Sequence, residues 1–107
     1  MKSIITLTGM AESDILDIHS YVELFDSPES ADYLVDGITK AISSLEHMPD
    51  RGHYPPELAK IGIHEFQEIH FKPYRIVYSI NGKEVIIHCV LDGRRDMQTL
   101  LQQRLLH

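Results

Sequence analysis

His70, Arg75 and His88 place two imidazoles and one guanidinium on segments that read as neighbouring strands. A two-residue loop at Asn81-Gly82 sets Ile80 opposite Lys83, Tyr78 opposite Val85, Ile76 opposite Ile87 and Arg75 opposite His88. An equally tight turn at Lys72-Pro73 sets His70 opposite Arg75 and Ile69 opposite Ile76. The three basic side chains then form one cross-strand row. Such a row serves binding or proton transfer directly, or it is a ladder in which Arg75 pairs with Glu68 and the histidines are solvated. A metal is not expected, because the two histidines lack an evident third ligand and Arg75 sets a positive charge between them. Arg94-Arg95 makes a second basic group, flanked by Asp92 and Asp96. It reads either as a target-contacting turn beside apolar residues or as a solvated turn whose charges the two aspartates neutralise. Cys89 lies inside an apolar run and reads as a small buried hydrophobe rather than a reactive thiol.

The elements that must position these residues follow from periodicity. Lys2 to Thr8 is a β-branched, weakly alternating strand, and Thr8 is placed to cap a helix. Ala11, Ile15, Ile18, Val22 and Phe25 recur at helical spacing and form its inner stripe. Ser27-Pro28 starts a second helix, whose stripe is Ala31, Leu34, Val35, Ile38, Ala41, Ile42 and Leu45. The short connection makes the two an antiparallel hairpin. After the proline-bounded loop Pro49 to Pro56, the pattern changes to strands at Glu65–Phe71, Tyr74–Ile80 and Lys83–Leu91. Asp96 then caps a terminal helix to Leu106. The expected fold is α+β, in the order β-α-α-β-β-β-α, with the helix hairpin packed on a small antiparallel sheet. Alternation assigns Ile69, Ile76, Tyr78, Ile80, Val85, Ile87 and Cys89 to the core face. It assigns Phe66, Glu68, His70, Arg75, Val77, His88 and Val90 to the other. Tyr21, Tyr33 and Tyr54 are assigned to core packing.

At 107 residues the chain is expected to form one domain, 1–107, around one core. A hydrophobic fraction of 43% and a charged fraction of 24% exclude a disordered or low-complexity chain. No stretch approaches the roughly 20 apolar residues a membrane span needs, and no leader pattern opens the sequence, so the expected location is cytoplasmic. Charge is divided unevenly: four Lys/Arg against thirteen Asp/Glu up to Glu68, then six against three, within a total of −6. That balance disfavours general nucleic-acid binding but allows a local basic site in the last third.

Tyr74-Arg75-Ile76-Val77-Tyr78, followed by Val90-Leu91-Asp92-Gly93-Arg94-Arg95-Asp96 and an apolar terminal segment, resembles the ParE/RelE toxins of bacterial type II toxin–antitoxin systems. Ala11 to Ile15, Ala41 to Leu45 with Pro49 and Gly52, and Glu68-Ile69 are similar to the family pattern in order and spacing. The resemblance covers nearly the whole chain, and its specificity lies in the ordered combination. RelE-like members cut messenger RNA on the ribosome, where basic residues and a proton-transfer group activate a ribose hydroxyl and stabilise phosphate charge. Arg75 and Arg95 match two of those basic positions, but Leu101 stands where a catalytic tyrosine is expected. The usual pair of lysines is missing, with Phe66 and Glu68 near those positions, and His70 or His88 could substitute as base.

These departures, together with the acidic total, make the chain more similar to the ParE-like branch, whose members inhibit DNA gyrase and block replication without catalysis. The resemblance therefore implies Arg94, Arg95 and Arg75 as target-binding residues and no cofactor. It also implies a cognate antitoxin whose extended or helical tail crosses the helix hairpin and a sheet edge, in a plasmid-stabilisation or stress system. The alternatives are an endonuclease using Arg75, Arg95, His70 or His88 with the ribosome and its message as partners, and a non-toxic antitoxin-binding module. A homodimer is a further option.

Overall fold

The computed structural model describes residues 2–106. The chain runs β1 (Ile4–Leu7), α1 (Gly9–Phe25), α2 (Pro28–Ser43), 3-10 turns at Ser44–Glu46 and Pro49–Arg51, α3 (Pro56–Ala59), β2 (Gln67–Phe71), β3 (Tyr74–Asn81), β4 (Glu84–Asp92) and α4 (Met97–Leu105). Except for the 3-10 turns and the short α3, this is the expected order. The longer helices start where a side-chain oxygen meets a free amide. Thr8 accepts from the Ala11 N–H at 3.1 Å, Ser27 from Ser30 at 3.0 Å and Asp96 from Thr99 at 3.2 Å, each cap bonding an amide that the helix itself leaves free.

The sheet order is β1-β4-β3-β2. β2, β3 and β4 form the expected antiparallel meander, and β1 adds a parallel edge, Ile5 opposite Val85 and Leu7 opposite Ile87. Under one face lies the helix hairpin, where Ala11, Ile38, Ile42 and Leu45 meet Ile69, Ile76, Tyr78, Val85, Ile87 and Val90. Full burial of a side chain such as Ile38 contributes roughly 1.5–3 kcal/mol. The other face is covered by α3 and α4, with Leu58, Met97 and Leu101 packed on Val77, Cys89 and Leu91. α4 thus seals the face that the sequence leaves partly open.

Two register changes correct the sequence reading. His70 does face Arg75, and Ile69 faces Ile76, as the Lys72-Pro73 turn predicts. The second hairpin turns one position later than expected, through Gly82-Lys83, with Gly82 in the left-handed region at φ 62°. Ile80 therefore faces Val85, a shift of two that leaves every face unchanged. A bulge between Val77 and Tyr78 then adds one unpaired residue on β4: Tyr78 faces Ile87 while Val77 faces Cys89. That single step reverses the faces beyond it. Val90 enters the core under the hairpin, Cys89 moves to the α4 side, and Arg75 faces Leu91 instead of His88.

Four aromatic assignments also change. Phe25, expected on the inner stripe, is 69% exposed, and Tyr21, 64% exposed, stacks against it with ring centroids 4.7 Å apart. Tyr33 and Tyr54 are exposed as well. Leu16 and Leu24 are exposed on the same helix as Tyr21 and Phe25, so α1 carries apolar side chains on more than its core stripe. Periodicity cannot tell which apolar stripe faces inward when a helix has two.

Candidate functional site

Arg75 is the centre of a polar cluster on the α3–α4 side of the sheet. Its Nε donates to Glu68 Oε1 at 2.6 Å and its Nη2 to Glu68 Oε2 at 3.0 Å. The other edge of the guanidinium grips Glu57 of α3, Nη1 to Oε2 at 2.8 Å and Nη2 to Oε1 at 2.6 Å. Paired forks of this kind are the strongest side-chain hydrogen bonds proteins make. Glu68 is 1% exposed, so its charge depends on these partners. The Glu57 bonds, followed by those of Glu68, raise the Arg75 pKa further above its ordinary value against the opposing effect of burial. In return, the Arg75 hydrogen bonds hold the Glu57 carboxyl below its usual range. Gly93 permits the close packing: a Cβ there would meet Arg75 Cδ at 2.7 Å.

The loop after α2 brings a third partner. His53 and Glu68 exchange backbone hydrogen bonds, His53 N to Glu68 O at 3.1 Å and Glu68 N to His53 O at 2.8 Å, so the loop is zipped onto the β2 edge. His53 Nε2 then lies 3.1 Å from Glu68 Oε2. His70, two residues along β2 and on the same face, brings its Nε2 to 3.4 Å from the same oxygen. The two rings meet edge to face at 5.2 Å. The companions of His70 are thus His53 and Glu68, and not the His88 that the sequence reading set beside it.

His88 lies apart from this cluster. It occupies the bulge, its Nε2 2.7 Å from Ser79 Oγ and its ring edge-on to Phe66, and burial lowers its pKa. The expected row of His70, Arg75 and His88 thus divides into a pair and a separate residue. Leu101 is fully buried between α4 and the sheet. Cys89 is also fully buried, with burial pushing its thiol up to about 12, as the reading of an inert hydrophobe requires.

Arg94 and Arg95 sit on the turn between β4 and α4, both exposed. Arg94 is held bidentately by Asp92, Nε to Oδ1 at 2.9 Å and Nη2 to Oδ2 at 2.6 Å, which lowers the Asp92 pKa. The Arg95 side chain makes no ion pair or hydrogen bond among the described residues. Both arginines border an open cleft of about 910 Å³, opposite Tyr21 and Phe25 of α1. Arg104 of α4 reaches the same cleft, bonded at 2.7 Å to Asp14, which also accepts the Val90 N–H at 2.9 Å. Sequence reasoning missed Glu57, His53 and the Asp14–Arg104 pair. Only the surplus of apolar residues on α1 hinted at the cleft.

An α+β core of this topology recurs in solved toxin–antitoxin structures. A chain of the chromosomal ParDE TA system from P. aeruginosa superposes with a TM-score of 0.69 at 19% identity, over 83% of this chain and 94% of that one. A chain of the RelBE2 toxin–antitoxin complex from Mycobacterium tuberculosis gives 0.55 at 17% identity, over 84% and 96%. At these identities the likeness establishes the fold. Family membership rests on sequence: residues 5–97 match the family described as ParE toxin of type II toxin-antitoxin system, parDE, and the chain belongs to it. Among curated proteins, none matches the chain. No helix of the described residues is long and apolar enough to cross a membrane.

Proposed function

We propose that this toxin inhibits DNA gyrase without catalysis, through the Arg94-Arg95 turn and the start of α4. One observation carries the reading. Arg75, the arginine that a nuclease would turn toward a scissile phosphate, spends four of the five N–H donors of a guanidinium on Glu57 and Glu68. A phosphate approaching there would meet two carboxylates, and Leu101 offers no proton. Arg75 in this reading supports the fold beneath the turn, and Arg94 and Arg95 make the contact. The exposed Arg95, with Tyr21 and Phe25 across the cleft, gives the mixture of charge and aromatic surface that protein partners use.

The reading includes a cognate antitoxin. The α1–α2 hairpin exposes Leu16, Tyr21, Leu24, Phe25 and Tyr33, and β1 is an edge strand beside an open groove of about 520 Å³ lined by Ile4, Ile5, Leu7 and Ile42. An amphipathic helix on the hairpin and an extended segment along β1 would cover both.

Supercoiling by purified gyrase, with and without ATP and with a check for trapped cleaved DNA, tests the target. Dose-dependent loss of supercoiling is the expected result. Full gyrase activity with folded toxin present, accompanied by cuts within translated codons in expressing cells, would overturn it in favour of the ribosome-dependent nuclease.

A further inference from the structure

We propose that His53, Glu68 and His70 form a binding site for a divalent transition metal of the zinc class. Among the described residues they are the group whose ligand atoms converge, all lying within 4.8 Å of one another. Two of the separations come close to those around an ion. His53 Nε2 and His70 Nε2 lie 3.1 and 3.4 Å from Glu68 Oε2. A tetrahedral zinc with bonds of about 2.0–2.2 Å has ligand–ligand edges of roughly 3.3–3.6 Å, a little wider than the first separation and spanning the second. The two-imidazole, one-carboxylate set suits zinc and its borderline neighbours better than calcium or magnesium.

The scaffold fixes all three donors. Glu68 and His70 share one face of β2, and the paired backbone bonds hold His53 beside Glu68 as an added strand residue would be held. Arg75 Nε anchors Glu68 Oε1 and so orients Oε2 toward the histidines, the role outer hydrogen bonds play around metal sites. Arg75 Nη2 also reaches Oε2, at 3.0 Å, and competes with a metal for that oxygen. Its charge does not forbid the ion, because Glu57 neutralises it: Glu57, Glu68 and Arg75 together carry one net negative charge. Both histidine side chains reach solvent, 59% and 39% exposed, which leaves a water to complete the coordination. Occupation would pin the Pro49–Pro56 loop to β2. The site stands independently of the gyrase reading.

The test uses the full chain without a polyhistidine tag, titrated with Zn2+ by calorimetry and with Co2+ by visible absorption. The expected result is one equivalent bound at micromolar affinity or better, a cobalt spectrum of low coordination number, and a melting temperature that rises with free zinc. His53→Gln and His70→Gln each keep an N–H that can bond Glu68 while removing the imidazole ligand. Each should weaken binding at least about tenfold, and the double variant should abolish it without loss of fold. Wild-type protein that stays metal-free at well over micromolar free zinc, or a folded double variant that binds as wild type does, would overturn the proposal.

Discussion

Arg75→Met tests whether the arginine is a buried tie or a surface contact. The substitution keeps much of the side chain's length and removes its charge, leaving Glu68, 1% exposed, and Glu57 facing each other without a cation. Removing one partner of a buried ion pair costs about 3–5 kcal/mol, because the remaining charge is stranded in a poorly solvated place. For a chain of this length the unfolding entropy is roughly 0.22 kcal/mol per degree, so the melting temperature should fall by about 13–22 °C. Thermal and urea unfolding followed by circular dichroism measure the change. A matched variant separates charge from packing: Arg75→Met with Glu57→Gln and Glu68→Met removes the whole network and should recover most of the loss. If Arg75→Met melts within about 3 °C of the wild type, a spread expected of exposed positions, the tie contributes little and the argument from Arg75 fails. If the matched variant is as unstable as the single one, the cost lies in packing instead.

Arg94→Ala with Arg95→Ala should relieve growth arrest and restore gyrase supercoiling while leaving the melting temperature nearly unchanged, since both side chains are exposed. Unchanged toxicity from folded protein would remove the turn from the target interface. Gly93→Ala should cost about 1–3 kcal/mol by pushing a methyl group into Arg75 Cδ, and the loss should shrink in the Arg75→Met background, which a double-mutant cycle reads. His88 has a folded pKa below its unfolded value because burial disfavours the imidazolium. The unfolded chain therefore binds the extra proton, and His88 costs stability as pH falls from its unfolded value through its folded one, with no effect above the unfolded value. His88→Asn should flatten that part of the melting-temperature profile; identical slopes in the two proteins would contradict the burial argument.

The sequence alone determined what rests on local chemistry. Thr8, Ser27 and Asp96 cap helices because each oxygen meets an amide only three residues away, and that geometry is available to the chain before it folds. The tight Lys72-Pro73 turn fixed His70 opposite Arg75, and the alternation of β3 fixed its two faces, so the ladder of Arg75 with Glu68 was readable as well. The ordered motifs also carried the family, which the match over residues 5–97 establishes.

Only the tertiary structure decided the rest, because those contacts join segments that no local rule links. The bulge at Val77/Tyr78 has no local signal in the strand pattern, and it exchanged the faces of Cys89 and Val90 and left His88 unpaired. Glu57 reaches Arg75 from a short helix that no apolar periodicity announces, and His53 reaches Glu68 through backbone pairing across an irregular loop. Tyr21 and Phe25 carry the same apolar character as the buried face of α1, yet packing with α2 and β4 turned them outward to wall the cleft. A side chain's type states what it can bond. Which partners it finds depends on the long-range packing that places one strand, loop or helix against another.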